Sequence, residues 1–529
     1  MHFEMDLRSK VNSLISIGSL ESAAPLAQYY YSLNDDDPMS CLPLLTVYNQ
    51  LGQHTRIVEF MKSNNYHTVP ELLIYYISAL FKLSKYKDVI ATITSLCPEV
   101  YESSSSLLLF LAKSYLLSDS PEQASPVFCK CIASDPLCLE AIDLLVHSRL
   151  LSPTQLSKVL SQHSDAVQSF LPFSALSSLR KPLTFGQISH NIDTMLSSNP
   201  ELATNVSIVS SLVNGHLSNG YPIAGIRCVR NAFTKLPLDL DLFVPLIICS
   251  FLAGDASTLL EIQSTVSREK KFKEVCDLID VLLVFFNSKI NTDDDYVSTI
   301  QSIINQSTSI NFQYMCDLLL GHLLLFNQQT DSAILQYRLC ATKYIGCIVP
   351  FLSLSSIYLR NSSLSLARRF ISLCNAINSN DPRVLHEEGV LMVGEGRVEE
   401  AKEVFIRVLK MLPSDLFLLS FANGKNCLLN SFFGSGNLVF DLKCSTLSNL
   451  ALVCLRLSDY SNAKFYAQQC LELFSMDESA LLVLAVSLHH EGSLSDAIVK
   501  YQKYLTLVPK SFLAVQMLNL ALEEVEFSI

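Results

Sequence analysis

Three small residues, Gly321, Ser355 and Gly389, recur at intervals of 34 positions, and an alanine follows each of them by twelve: Ala333, Ala367 and Ala401. A small side chain is needed where two helices cross closely. One that returns on a fixed period means that the same helix pair is stacked on itself, each pair borrowing a neighbour to bury its apolar face. The rest of the unit agrees. Three residues after the small position come Leu324, Tyr358 and Met392. Four after each alanine come Tyr337, Ile371 and Phe405, and three beyond those Cys340, Cys374 and Val408. Spacings of three and four put these side chains on one stripe of each helix.

Thirty-four residues is the tetratricopeptide period, and the fold class it predicts is an all-α solenoid of stacked helix-turn-helix units. The ladders frame contiguous units at 314–347, 348–381 and 382–415, the last closed by Pro413, where a helix must stop. The pattern resumes at 444–477 (Ala451, Tyr460, Ala463, Cys470) and continues at 478–511 (Ala485, Gly492, Ala497, Tyr501, Pro509), leaving 512–529 as a closing helix. Upstream, 105–138 fits closely through Leu108, Ala112, Tyr115, Ala124, Phe128, Cys131 and Pro136. Degenerate units follow at 5–37, 38–71, 72–104, 206–239 and 240–273, while 274–313 is helical by pattern without a frame. The expected plan is an N-terminal array over 1–151, used for dimerisation, and an irregular helical segment over 152–205, where Pro172, Pro182 and Pro200 interrupt the stacking. A central array over 206–415, an insertion over 416–443 and C-terminal repeats over 444–529 complete it.

Composition fits helices covered on two sides: 49% of the 529 residues are hydrophobic and 17% charged. Val281 to Phe286 and Phe243 to Leu252, the longest apolar runs, fall short of the roughly 20 residues a spanning helix needs. The first residues (Glu4, Asp6, Arg8, Lys10) form no apolar signal core, so the expectation is a soluble protein of the nucleus or cytoplasm, without a membrane. A net charge of −12 opposes a phosphate-binding surface, which needs clustered cations; Arg268 to Lys273 and Arg368–Arg369 read as solvated helix faces, and nucleic acid is not an expected partner. None of the 16 cysteines forms a C-x-x-C pair, and the nearest couple, Cys129 and Cys131, diverges on a helix. Cys131, Cys340, Cys374 and Cys470 share one repeat position, where a free thiol acts as a small hydrophobe in a reducing compartment.

No phosphate-binding glycine loop, dinucleotide fingerprint, H-E-x-x-H or nucleophile elbow occurs, so the chain reads as no enzyme, with no cofactor and no metal. His489, His490 and Glu491 adjoin a repeat turn, His489 toward the inner face and His490 toward solvent, whereas metal ligands must converge. The acidic triplets Asp35–Asp37 and Asp293–Asp295 read as loop and cap residues. Ser120–Pro121 and Ser152–Pro153 read as helix starts rather than modification sites.

The run Asp-Pro-Arg-Val-Leu-His-Glu-Glu-Gly-Val, Asp381 to Val390, resembles the signature of one tetratricopeptide family, the cell-division-cycle-sixteen type or subunit six of the anaphase-promoting complex (cyclosome). Leu139 to Leu151, Cys347 to Arg369, Leu447 to Ala463 and Phe512 to Leu522 are similar to further family stretches, in the right order. The likeness covers most of 105–151 and 314–529 and is weak elsewhere; the absence of Trp and the eroded N-terminal repeats depart from it. The resemblance implies a non-catalytic scaffold of a mitotic ubiquitin ligase that homodimerises, stacks on related subunits and encloses an extended segment of a small partner subunit. Inner helices of stacked repeats line a concave channel suited to such a segment. Counting from the small residue of each unit, its wall comprises Ser353, Ser356, Arg360, Arg383, His386, Glu387, Asn449, Arg456, Leu482 and His489; of these His386, Glu387 and Asn449 coincide with polar positions of the family motif. The competing reading is that these polar groups bridge neighbouring helices. Two rival functions remain. An adaptor or co-chaperone clamping a free carboxylate needs recurring inner-helix Lys and Asn, and Asn449 alone qualifies. An enzyme with a repeat arm needs an unassigned stretch of about 100 residues, and the repeats fill the chain.

Overall fold

Among the described residues, eight turns of one kind recur. The residue that ends the first helix of a hairpin takes left-handed backbone at Gly18, Gly52, Ser84, Gln328, Ser362, Gly396, Ser458 and Gly492. The amide that follows donates to the carbonyl five positions back, at Leu14, Tyr48, Leu80, Leu324, Tyr358, Met392, Cys454 and Leu488. This is the Schellman closure, which satisfies carbonyls a helix end would otherwise leave bare. Positions 328, 362 and 396 stand 34 apart, as do 458 and 492, and 18 and 52. The repeat period is therefore the period of a backbone turn as well as of a packing contact.

The computed structural model describes residues 2–34, 37–96, 101–102, 104–118, 120–162, 239–252, 255–269, 272–286, 296–307, 309–412 and 439–528, with isolated positions between 205 and 229. Among these no strand occurs. The chain divides into two units, Met1–Leu145 with Gln162–Ser169 and Val146–Ser161 with Phe170–Ile529. The first holds α1 (His2–Ile17), α2 (Leu20–Leu33), α3 (Leu42–Gln50), α4 (His54–Ser63), α5 (Pro70–Lys82), α6 (Tyr86–Thr94), α7 (Ser105–Leu116) and α8 (Ala124–Ser134). Helix α9 (Leu139–Ser148) straddles the boundary, and α10 (Pro153–Gln162) follows it. The second unit holds α11 (Leu240–Leu252), α12 (Ala256–Val266), α13 (Lys273–Phe286), α14 (Tyr296–Gln306), α15 (Ile310–Phe326), α16 (Thr330–Lys343), α17 (Val349–Arg360), α18 (Leu364–Ile377), α19 (Pro382–Gly394) and α20 (Val398–Met411). It ends with α21 (Val439–Arg456), α22 (Tyr460–Leu473), α23 (Glu478–His490), α24 (Leu494–Leu507) and α25 (Phe512–Ser528). None of the described helices is long and apolar enough to cross a membrane.

Within each hairpin the small residue meets the aromatic of its partner helix. A Cβ on Gly321 would lie 2.6 Å from the Tyr337 ring, and one on Gly389 would lie 2.7 Å from that of Phe405. At the equivalent positions of the intervening unit stand a larger small residue, Ser355, and a smaller apolar one, Ile371, both buried, an exchange that conserves volume as a close-packed interior requires. The recurring cysteine has a second task. Cys374 and Cys470 each donate the thiol proton to the carbonyl 26 residues earlier, at Ile348 and Cys444, and the Cys131 thiol reaches the Ser105 carbonyl in the same way while sharing its one proton with the Cys138 sulfur. Each thus ties the second helix to the start of the first. Burial pushes the Cys470 thiol up to about 12, so it stays protonated for that bond.

Helix starts are capped by carboxylates in register. Asp381 accepts from the Arg383 amide, Asp459 from Asn462 and Asp477 from Ala480. Ser152 behaves as the sequence suggests at a helix start: its hydroxyl accepts from the Gln155 amide while the Gln155 side chain accepts from its own, a capping box. Some boundaries shift. Helix α15 begins four residues before the frame at 314, α21 begins at Val439, inside the expected insertion, and Ser84 follows Gly52 by 32 residues rather than 34. The unframed stretch 274–313 supplies α13 and α14, whose Leu278, Leu282, Ile300 and Ile303 enter the core around Phe243 and Leu323. Residues 163–204, 293–295 and 413–438, with Pro413 and most of the expected insertion, lie outside the described residues.

Candidate functional site

Asp-Pro at the start of α19 builds the most connected part of the candidate wall. Proline supplies the helical φ at the first turn, and the Asp381 carboxylate caps the amide ends. The same carboxylate receives the Arg383 guanidinium at 2.9 Å from Nε and 2.7 Å from Nη2, a two-point fork. Burial alone would raise the Asp381 carboxyl; the Arg383 charge and the amides of Arg383 and Val384 outweigh it and hold it below the ordinary value. One turn on, His386 and Glu387 are both 5% exposed. Asn449 Nδ2 of α21 lies 3.1 Å from His386 Nε2, joining residues 63 apart in sequence. Donation into Nε2 places the ring proton on Nδ1, which sits 3.8 Å from Glu387 Oε1. Beside Asn449, the Ser448 hydroxyl donates to Asp477, the cap of α23.

The other expected residues separate into two groups. Ser353 is buried and bonds Tyr337, whose hydroxyl lies 2.6 Å from His322 Nδ1. His489 lies 3.4 Å from the Tyr501 hydroxyl through Nδ1 and 3.2 Å from Glu524 through Nε2, whereas His490 stacks on Tyr460 with centroids 4.3 Å apart. The two imidazoles thus have different partners, and among the described residues no cluster of three or more His, Cys, Asp or Glu could hold a metal ion. Ser356 and Leu482 are half-buried, and Arg360 and Arg456 are exposed at the ends of their helices. The structure therefore brings Arg383, His386, Glu387 and Asn449 together and leaves Arg360 and Arg456 open to solvent.

Sequence reasoning missed two neighbouring groups. Asp317 on α15 accepts from Lys343 at 3.0 Å and from the Tyr344 hydroxyl at 2.8 Å, anchoring the end of α16. The Arg149 guanidinium lies 3.5 Å from the Tyr314 ring centroid, and the Gly346 amide donates to the Arg149 carbonyl at 2.6 Å. A Cβ on Gly346 would lie 2.1 Å from the Leu151 carbonyl oxygen, so glycine is required where the 146–161 segment meets the loop after α16. The available signal was a glycine outside the repeat turns.

The Tetratricopeptide repeat family model matches residues 445–475. The anaphase-promoting complex subunit 6 of Arabidopsis thaliana is 23% identical over 429 residues, 79% of this chain and 74% of that protein. The chain has the tetratricopeptide-repeat fold and is similar to anaphase-promoting complex subunit 6. The human cell division cycle protein 16 homologue is 26% identical over 204 residues, 38% of this chain and 30% of its own length. The anaphase-promoting complex subunit CDC16 of Saccharomyces cerevisiae (strain ATCC 204508 / S288c) is 23% identical over 439 residues, 74% of this chain and 50% of the yeast protein. The matched regions thus span under two thirds of the human and yeast relatives. A chain of the solved APC/C hetero-tetramer Cut9-Hcn1 superposes with a TM-score of 0.71 at 18% identity, covering 98% of this chain and 96% of that one. At that identity the likeness establishes the fold, a stacked helical repeat, for this chain.

Proposed function

We propose that this subunit 6 relative is a non-catalytic scaffold of an anaphase-promoting-complex-type ubiquitin ligase, working in the nucleus or cytoplasm. In this reading the N-terminal array over 1–151 homodimerises, and the repeats over 314–529 hold an extended segment of a small partner subunit. The observation that carries it is the 429-residue match to the Arabidopsis subunit, which runs through both units of the fold. Physical chemistry supports the channel. The Arg383–Asp381 fork and the His386–Asn449 bond hold polar groups in place on α19 and α21, and a peptide backbone needs donors and acceptors already held in place.

Affinity purification of the tagged chain followed by mass spectrometry tests the assembly: other subunits of the ligase should co-purify, and recovery of chaperones alone would favour the adaptor reading. Glu387→Gln with Asn449→Ala tests the channel. The pair should weaken capture of the small subunit by about tenfold, equivalent to about 1.4 kcal/mol. Because Asn449→Ala also leaves His386 unpaired, circular dichroism must show unchanged helicity. A folded double variant that retains its full complement of the small subunit rules the channel out.

A further inference from the structure

At Cys131 the recurring cysteine of the repeat has a thiol partner that Cys374 and Cys470 lack. Seven residues after Cys374 and Cys470 stand Asp381 and Asp477, the carboxylates that cap the next helix. Seven residues after Cys131 stands Cys138, at the start of α9. Its sulfur sits at a helix start, the Cys131 thiol donates to it across 3.9 Å, and the Ala141 amide, bonded to the Cys138 carbonyl at 3.1 Å, lies close enough to favour the thiolate. Cys131 is fully buried, whereas Cys138 is half-exposed and reachable from solvent. We propose that Cys131 and Cys138 form a reversible oxidation site, closed to a disulfide across the α8–α9 turn by a peroxide.

The roles follow from the surroundings. The bond from Cys131 lowers the Cys138 thiol below its ordinary value, with the Ala141 amide acting in the same direction against burial. The same bond raises Cys131, which burial raises further. Cys138 is thus the nucleophile. Its thiolate attacks one peroxide oxygen; the S–O bond forms, the O–O bond breaks, and the departing hydroxide takes a proton from solvent. The Cys131 sulfur then attacks the Cys138 sulfenic sulfur. The S–S bond forms, the S–O bond breaks, and the leaving hydroxide departs with the Cys131 proton as water. Two thiols and one peroxide give one disulfide and two waters. Closing 3.9 Å to the roughly 2.05 Å of a disulfide removes the Cys131 thiol from the Ser105 carbonyl.

Cys340 and Cys347 have the same spacing and serve as the internal control. Cys347 is held by the Tyr314 hydroxyl at 2.8 Å, and burial raises the Cys340 thiol. The full chain, purified reduced, is treated at pH 7 with graded hydrogen peroxide, its remaining thiols are blocked, and it is digested with trypsin. Both sulfurs of the proposed pair fall within the single peptide 131–149. That peptide should become lighter by two hydrogens at least about tenfold faster than Cys340 and Cys347 are lost, and a dithiol should restore it. In Cys131→Ala, Cys138 should accumulate as a sulfenic acid that a cyclic 1,3-diketone traps. If circular dichroism shows that this variant unfolds, Cys138→Ser takes its place, retaining a helix cap and leaving Cys131 unreactive. Oxidation of peptide 131–149 no faster than the control pair, or a Cys131 that reacts without Cys138, overturns the proposal.

Discussion

Helices α15 to α20 and helices α1 to α4 turn alike and pack differently. In both, left-handed residues stand 34 apart: Gln328, Ser362 and Gly396 in one, Gly18 and Gly52 in the other. In the first array the hairpins close by interlocking a small residue with a buried ring, Gly321 with Tyr337 and Gly389 with Phe405. In the second, rings meet rings and hydroxyls. Phe60 stands edge-on to Tyr31 and Tyr66, with centroids 5.2 and 6.0 Å away, and the Tyr31 and Tyr66 hydroxyls lie 3.1 Å apart. Gln28 donates to the Tyr48 hydroxyl at 2.7 Å. A backbone turn dictates the period, and several side-chain chemistries can fill the space it defines. Interlocked rings exclude water; polar-edged rings leave Phe60 half-buried.

That difference should appear as stability. Phe405→Ala removes a fully buried ring whose cavity Gly389 cannot fill, and should cost about 3–5 kcal/mol. Phe60→Ala removes a half-buried ring with two edge-on neighbours and should cost about 1–2 kcal/mol. Because repeat arrays open locally, hydrogen exchange in each hairpin is the appropriate measure, alongside denaturant unfolding. Equal losses in the two arrays would break the comparison.

The interlocked array was legible in sequence because its contacts repeat: glycine, alanine and aromatic recur at fixed offsets that one helical stripe explains. The N-terminal array was less so, because Tyr31, Phe60 and Tyr66 pair across non-equivalent positions. The turn was visible at Gly492, which the repeat pattern includes, but not at Gln328 or Ser458, since left-handed backbone in Gln or Ser has no compositional signature. At the candidate site, placement on inner helices could be read, but the bond from Asn449 to His386 could not, because it spans 63 residues and the segment between α20 and α21. Arg149 against Tyr314 is likewise a tertiary contact between segments far apart in sequence. Cys138 stands at a helix start seven residues beyond Cys131, a spacing that carries no motif of its own, and the approach of the two sulfurs depends on the α8–α9 turn.

Close packing also dries out a titratable group. His322 follows Gly321 directly, is 2% exposed and bonds Tyr337; desolvation lowers its imidazole to about 3. An unfolded His takes up a proton below about 6.5, whereas the folded one stays neutral until about 3, so between those values the unfolded state binds more protons. Stability is therefore complete above pH 6.5 and falls as the pH drops toward 3, by up to about 1.4 kcal/mol per pH unit from this residue. His322→Gln keeps a partner for the Tyr337 hydroxyl and removes the titration. Its unfolding midpoint should lose less between pH 7 and pH 5 than that of the unsubstituted chain. Parallel pH slopes would mean that water reaches the α15–α16 interlock.

The smallest effect tests the shared element, the turn. Ser362 adopts φ +56° and Gly396 φ +81°, a conformation that costs an L-residue because Cβ crowds the following carbonyl. Nothing lies within 4 Å of a Cβ added at Gly396, so Gly396→Ala carries the backbone penalty alone, a loss of about 1 kcal/mol. Ser362→Gly relieves the same penalty and, after the extra chain entropy of glycine, should gain about 0.5 kcal/mol. Ser84→Gly in the N-terminal array should match that gain, because its closure, from the Lys85 amide to the Leu80 carbonyl at 3.0 Å, resembles that from Ser363 to Tyr358 at 2.8 Å. Thermal midpoints of the three variants settle whether the turn is equivalent in the two arrays. A gain at Ser362 with none at Ser84 would mean that its interval of 32 residues after Gly52 reflects a different turn rather than a shortened copy of the same one.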